Sequence, residues 1–114
     1  MKTKTSELTG AALDWAVWVA AGGAAAYPKT ASGPAFLKLW KGNTAKYVHP
    51  STDWAQGGPI IEQEGIGLMP SGTAYFERNG GTFYSYGPTP LVAAMRCFCV
   101  SRLGDEINIP EELL

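Results

Sequence analysis

The chain has 114 residues, with nine basic and ten acidic side chains and a formal net charge of −1. This length supports one domain with a single modest core, and it leaves no room for separate catalytic and regulatory units. The basic residues are scattered singly, which argues against binding of duplex nucleic acid, because phosphate-driven affinity needs a clustered basic face.

The sequence predicts neither a signal peptide nor a membrane span. Its most apolar stretch, residues 11–26, is interrupted by one aspartate and a pair of glycines. Cys97 and Cys99 are two residues apart in a predicted helix, so their side chains diverge and cannot form a disulfide or share a metal. Since the chain has one histidine, and its cysteines cannot share a metal, we expect no metal site. We also expect no cofactor. The two cysteines are expected to be buried thiols in a reducing compartment.

The first predicted element is a helix over about residues 9–21. Thr9 is a candidate N-cap, and Gly22-Gly23 ends the helix. Four apolar side chains form one stripe that faces the core: Leu13, Ala16, Val17 and Ala20. Trp15 and Trp18 lie beside this stripe, where they either pack in the core or cover a subunit contact.

Residues 22–48 are the least determined part of the sequence. They are small and loop-like as far as Pro34 and show no clean period. Alternation over residues 36–40 predicts a short strand, Gly42-Asn43 predicts a turn, and residues 45–48 predict a neighbouring strand.

The most informative run, residues 49–64, combines turn formers, short polar side chains and one large aromatic, Trp54. Gly57 and Gly58 let backbone approach a ligand or another chain closely. Four polar side chains can form hydrogen bonds: Ser51, Thr52, Asp53 and Gln56. We interpret the run as a binding site, and the alternative is a structural loop braced by a half-buried Trp54.

A short helix over residues 59–64 is expected to follow, closed by Gly65. Pro59 suits the first helical position, and backbone N–H groups near Gly58 would then be free to bind an anion.

The clearest hairpin pattern joins two β-rich runs, residues 73–77 and 82–86, through Arg78-Asn79-Gly80-Gly81. By the two-residue period of a strand, Tyr84 and Tyr86 share one face. That aromatic face is available for packing or for stacking on a ligand.

The second long helix begins with Thr89 as its cap and Pro90 at its first position, and it ends before Gly104. Arg96 lies near its polar boundary, where it is suited to bind a phosphate or carboxylate, or to form a salt bridge with a neighbouring acid. The tail over residues 106–110 is extended and is suited to pair as an edge strand or to dock on a partner.

Together these elements predict an α+β domain in which two long helices pack on a small, mostly antiparallel sheet. The chain holds four Trp, five Tyr and four Phe. One small core does not readily bury so many large side chains, so we expect a homo-oligomer.

Three blocks of the sequence carry a resemblance to a known family. They are Ser6-Glu7-Leu8-Thr9-Gly10-Ala11-Ala12-Leu13-Asp14-Trp15-Ala16-Val17, Ser51-Thr52-Asp53-Trp54-Ala55-Gln56-Gly57-Gly58-Pro59-Ile60-Ile61 and Thr89-Pro90-Leu91-Val92-Ala93-Ala94-Met95-Arg96-Cys97. In these blocks and in their order, the chain resembles the NinX-like family of small tailed-phage proteins. The resemblance implies an origin rather than an activity: a single NinX-like domain over residues 1–114, encoded by a phage or prophage and working in a bacterial cytoplasm.

The candidate ligand-binding residues provide aromatic walls, hydrogen-bonding groups and one guanidinium: Ser51, Thr52, Asp53, Trp54, Gln56, Gly57, Gly58, Tyr84, Tyr86 and Arg96. This set suits a small nucleotide-derived ligand, although no Gly-rich phosphate loop of the Walker or dinucleotide type is present. We therefore expect a phage anti-defence protein that sequesters an immune signal, such as a cyclic or modified ADP-ribose, without catalysis.

Two alternatives stay open. The chain is also suited to block a host enzyme or regulator through an exposed aromatic surface, with residues 53–58 as the inserted element. A hydrolase of cyclic nucleotides would use His49 and Asp53. A relay from Ser51 to His49 fits by spacing, but the sequence identifies no orienting acid and no oxyanion hole.

Overall fold

The computed structural model describes residues 2–22, 29–30, 33–34, 37–40, 44–47, 50–70, 72–78 and 80–113. The elements in chain order are β1 (Lys2–Lys4), a 3-10 turn (Thr5–Glu7), α1 (Gly10–Ala20), β2 (Lys29–Thr30), β3 (Gly33–Pro34), β4 (Leu37–Trp40), β5 (Thr44–Tyr47), α2 (Trp54–Glu64), β6 (Gly67–Met69), β7 (Thr73–Arg78), β8 (Gly81–Tyr86), α3 (Pro90–Leu103), β9 (Glu106–Asn108) and a second 3-10 turn (Glu111–Leu113).

The central element is α3, which contacts α1, α2, the first 3-10 turn, and strands β7 and β8. Its buried side chains come from most of the helix circumference: Leu91, Ala93, Ala94, Met95, Cys97, Phe98 and Cys99. A helix that is apolar on nearly every side belongs inside a domain. Both of its predicted boundaries are confirmed, because the Thr89 hydroxyl accepts a hydrogen bond from the Val92 N–H at 3.1 Å and Gly104 follows the last turn.

Helix α1 also matches its prediction. Thr9 takes the extended conformation of an N-cap, and the helix ends at Ala20, before the glycine pair. The predicted stripe is buried throughout: Leu13, Ala16, Val17 and Ala20. Trp15 is 5% exposed and lies in the core. Trp18 is partly buried and packs against the core cluster.

The main sheet has the order β6-β7-β8, with both pairs antiparallel. The predicted hairpin is confirmed, since β7 and β8 pair from Thr73 opposite Tyr86 to Arg78 opposite Gly81. Side chains of one face, including Phe76 and Ser85, are buried against the α3 side. Strand β6 approaches β7 closely at Gly67, where a Cβ would overlap the Tyr75 ring.

The two ends of the described chain form a separate antiparallel ribbon, β1 with β9. Thr5 extends this link, because its N–H donates to the Asp105 carbonyl at 2.8 Å and its hydroxyl donates to the Gly104 carbonyl at 2.6 Å. The predicted extended tail is therefore a strand. After it, Ile109 and Leu113 enter the core.

Within residues 22–48, β4 pairs antiparallel with β5, as predicted, and β2 pairs antiparallel with β3. The predicted turn at Gly42-Asn43 lies outside the described residues.

The α+β class is confirmed, and every strand pair among the described residues is antiparallel. Helix α2 is longer than the short helix predicted over residues 59–64, since it spans Trp54–Glu64 and has the same length as α1. Within the described residues, no helix is long and apolar enough to cross a membrane.

Candidate functional site

The turn that leads into α2 is anchored on α1 through a buried carboxylate. Asp14 is 7% exposed, and its Oδ1 accepts a hydrogen bond from the backbone N–H of Ser51 at 2.9 Å. Ser51 itself is buried at 3% exposure. Of the predicted site residues in this turn, Thr52 is exposed and Ser51 faces inward.

Helix α2 begins five residues earlier than predicted, at Trp54, so the expected start at Pro59 is wrong. The Asp53 side chain caps the helix by accepting from the Ala55 N–H at 2.9 Å, and its carbonyl accepts from Gln56 and Gly57. An aspartate cap with an anchored turn outweighs the helix bond that Pro59 removes. Backbone around Gly58 is therefore interior helix, and the anion site expected there is wrong as well.

The two glycines of α2 differ in their surroundings. A Cβ at Gly57 would lie 2.5 Å from Leu91 Cδ1 and 2.6 Å from the Pro50 carbonyl oxygen. A Cβ at Gly58 would meet only Trp54 Cε3, at 4.0 Å. The close backbone approach predicted for this pair thus occurs at Gly57, and it is made to the first turn of α3.

The three aromatic residues of the predicted site are all exposed at the surface. Trp54, in the first turn of α2, is 54% exposed, and Tyr84 and Tyr86, on the sheet face opposite α3, are 56% and 67% exposed. The Tyr84 ring lies 6.5 Å from the Tyr75 ring, tilted by 42°. The sheet therefore presents an aromatic outer face, as the strand alternation predicts.

Arg96 connects this face to the N-terminal segment. Its Nε donates to the Leu8 carbonyl at 2.7 Å, and its Nη1 donates to the Tyr86 carbonyl at 2.8 Å. Desolvation by burial lowers the pKa of Arg96, and the nearby Glu7 carboxylate acts in the opposite direction. The guanidinium holds the end of β8 beside Leu8 and carries its charge next to Tyr86.

The structure thus brings the predicted residues into two groups. The first is the start of α2, residues 51–58, packed on Leu91; the second is Tyr84, Tyr86 and Arg96. Both groups flank the first half of α3, which carries Leu91 and Arg96. His49, the proposed base of the hydrolase alternative, lies outside the described residues, while Asp53 is engaged as a helix cap.

A groove of about 560 Å³ adjoins β8, and we call it the β8 groove. It is lined by Lys4, Ser6, Tyr84, Val100, Asp105 and Glu106. Apart from Tyr84, sequence reasoning missed these residues, because they meet only through the pairing of β1 with β9. The expected edge strand in the tail was the one available pattern that pointed to this region.

A second, smaller groove of about 190 Å³ lies where α1, α2 and α3 meet: Ala21, Ile60, Gln63, Glu64, Phe98 and Arg102. Arg102 Nη2 binds Glu64 Oε1 at 2.6 Å, and its guanidinium lies 5.3 Å from the centre of the Phe98 ring. Among the described residues, no group of three or more His, Cys, Asp or Glu side chains is arranged to hold a metal ion.

The family model described as "Bacteriophage P22, NinX" matches residues 4–102, a range that includes all ten predicted site residues. No curated protein matches the chain.

Proposed function

The chain belongs to the family of the bacteriophage P22 protein NinX, and from that premise we propose that it is a phage accessory protein that binds and sequesters a small nucleotide-derived immune signal of the host. A cyclic or modified ADP-ribose is the expected kind of ligand. The protein acts in the bacterial cytoplasm and returns its ligand chemically unchanged.

The observation that carries this proposal is the exposed pair Tyr84 and Tyr86, together with the Arg96 guanidinium that donates to the Tyr86 carbonyl. Every base has a face that stacks on an aromatic ring, and such stacking is worth about 1–3 kcal/mol per base. A guanidinium binds phosphate oxygens through charge-assisted hydrogen bonds. Rings and cation together match a ligand that contains both a base and a phosphate.

The non-catalytic part of the proposal is supported by the state of the two cysteine thiols. Burial raises the pKa of Cys97 to about 11, and burial together with the nearby Asp14 raises the pKa of Cys99 further. Buried thiols of this kind are poor nucleophiles at neutral pH.

The test is a thermal shift measurement with a panel of cyclic dinucleotides and ADP-ribose derivatives, followed by heat release and mass analysis of any bound ligand. We expect an increase in Tm with at least one ligand, which is then recovered with unchanged mass. A product of altered mass would show an enzyme instead, and no shift across the panel would count against sequestration.

Variants then locate the site. Tyr86→Ala removes a stacking face and is expected to weaken binding about tenfold to a hundredfold. Leu68→Ala is the matched control, because Leu68 is 40% exposed on the same sheet. It lies opposite Ala74, on the other face of the sheet from Tyr84 and Tyr86. Equal losses in both variants would argue against stacking on the aromatic face.

A second candidate function is the blocking of a host enzyme or regulator, and exposed Trp54 favours it. Tryptophan is enriched among the residues that dominate protein interfaces. Trp54 stands on a helix start that is fixed by the Asp53 cap and by Gly57 against Leu91. In this case a pull-down recovers a stoichiometric protein, Trp54→Ala loses it, and Tyr86→Ala keeps it.

A further inference from the structure

The β8 groove has the size of a small-molecule site. Its volume of about 560 Å³ lies within the range of about 300–1,000 Å³ that such sites occupy. Strand β8 and helix α3 each contribute one residue to its lining, and the others come from the ribbon of β1 with β9 and from residues next to that ribbon. The tertiary fold therefore forms the groove before any ligand arrives, as is usual for ligand sites.

The charges on the groove wall are unequal. Lys4 and Glu106 lie opposite each other where β1 pairs with β9, so their charges offset each other. Asp105 adds a second carboxylate, and within the described part of the chain no ion pair or side-chain hydrogen bond engages it. An ionised carboxylate accepts hydrogen bonds and donates none, so the groove favours a ligand group that carries hydroxyl donors and disfavours a phosphate.

Tyr84 belongs both to the groove and to the aromatic outer face of the sheet. It shares that face with Tyr86, two residues and about 7 Å along the strand. Arg96 donates to the Tyr86 carbonyl at the end of this step. The N-terminal segment makes the same step, from Ser6 in the groove to Leu8, whose carbonyl also accepts from Arg96. The groove and the guanidinium are therefore neighbours, within the reach of one nucleotide.

We propose that the β8 groove holds the ribose of a ribonucleotide whose base stacks on the face of Tyr84 and Tyr86. The ribose hydroxyls donate to the Asp105 carboxylate, as they do to an acidic residue in dinucleotide-binding domains. The negative wall keeps the phosphate out of the groove, on the side of Arg96. This placement rests on the proposed function, since it takes a nucleotide as the ligand, and it adds a preference for ribose over deoxyribose.

The test is an NMR titration of the ¹⁵N-labelled full chain with adenosine 5′-monophosphate and with its 2′-deoxy form, each up to about 10 mM. The ribonucleotide is expected to shift the amide signals of Ser6, Tyr84 and Glu106 more than those at the start of α2. The 2′-deoxy form lacks one hydroxyl that donates to a carboxylate, so it is expected to bind about tenfold more weakly.

The variant Asp105→Ala shows whether the carboxylate is the acceptor. It is expected to weaken binding of the ribonucleotide about tenfold and to remove the difference between the two nucleotides, because the 2′-hydroxyl then has no acceptor in the groove. Glu62→Ala is the matched control, since it removes an exposed carboxylate of α2, and it keeps the wild-type affinity and preference. If Asp105→Ala fails to fold, the comparison of the two nucleotides on the wild-type chain decides by itself.

The outcomes distinguish this proposal from the proposed function. Equal affinities for the two nucleotides, or shifts confined to the start of α2, overturn the groove as the ribose site and leave sequestration standing. The same holds if a member of the thermal-shift panel raises Tm while the groove amides stay unshifted at about 10 mM. Groove shifts with the expected preference, in a protein that no panel member stabilises, overturn sequestration and keep the ribose site. If no nucleotide binds in either experiment, both proposals fail.

Discussion

Gly57 and Gly58 are adjacent residues of one helix whose replacement is expected to have opposite effects. Alanine at Gly57 would force its Cβ to 2.5 Å from Leu91 Cδ1 and 2.6 Å from a backbone oxygen, whereas alanine at Gly58 meets only Trp54 Cε3, at an ordinary contact distance of 4.0 Å. We predict that Gly57→Ala lowers the free energy of unfolding by about 1–3 kcal/mol. Gly58→Ala raises it by about 0.5–1 kcal/mol, because alanine stabilises a helix relative to glycine.

Urea unfolding of the two variants measures both effects, and Gly58→Ala serves as the control for helix propensity. The same midpoint shift in both variants would contradict the close packing of α2 on the first turn of α3.

The two thiols make a second prediction at the residue scale. An unfolded thiol has an ordinary pKa of 9.0, whereas burial raises the pKa of Cys97 to about 11 and raises that of Cys99 further. Because the folded-state pKa values lie above the unfolded ones, the stability that the thiols contribute is present below pH 9 and is lost as pH rises toward 11.

We therefore expect Cys97 and Cys99 to react with a thiol reagent at pH 8 only as fast as the chain unfolds, and at once in denaturing urea. In Cys97→Ala, the unfolding free energy is expected to fall less steeply above pH 9 than in the wild type. Rapid labelling of the native protein would show that at least one thiol is accessible.

At the scale of the elements, Pro59 is a local weakness of α2. It lies inside the helix and is exposed, and its ring removes the bond that the Ala55 carbonyl would accept from residue 59. We predict that Pro59→Ala raises the free energy of unfolding by about 1–3 kcal/mol. Pro90→Ala is the control, since the first N–H of α3 has no helical partner and its replacement is expected to change little.

Unfolding in urea, followed by circular dichroism, gives both values. If Pro59→Ala lowers stability, the ring of Pro59 makes a packing contribution larger than the hydrogen bond it removes.

The elements that the sequence predicted well have local determinants. Helix α3 has a threonine cap, a proline at its first position and a terminal glycine, and the hairpin has a glycine-rich turn between alternating runs. Tyr84 and Tyr86 could be placed on one face for the same reason, because alternation is a property of the strand alone.

The start of α2 could not be read from local patterns, because two of them compete. Asp53 is a good N-cap and Pro59 is a good first residue, and each implies a different start. Tertiary contacts decide for Asp53: the Ser51 N–H is held by Asp14, and Gly57 fits against Leu91. The β8 groove could not be predicted for a related reason. Lys4 and Glu106 lie far apart in the sequence and are brought together only when β1 pairs with β9.

At the scale of the whole molecule, α3 connects parts that otherwise meet little. The sheet, α1, α2 and the N-terminal turn all contact it. Arg96 ties the end of β8 to the middle of α3, and Thr5 ties the terminal ribbon to its C-terminal end. Helix α2 contributes less to the interior, with Gly57 and Ile60 as its buried residues. We therefore expect the unfolding of α3 to require loss of the entire core, and α2 to open by itself.

We predict that native-state hydrogen exchange separates these two helices. Amides in the middle of α3, around residues 95–99, are expected to exchange only through global unfolding, with the free energy that urea denaturation gives. Amides of α2 are expected to exchange by local opening at a lower free energy, because few of its side chains are buried and Pro59 interrupts its bonding. Pro59→Ala should narrow the gap between the helices, while equal protection of α2 and α3 in the wild type would show that the domain opens as a single cooperative unit.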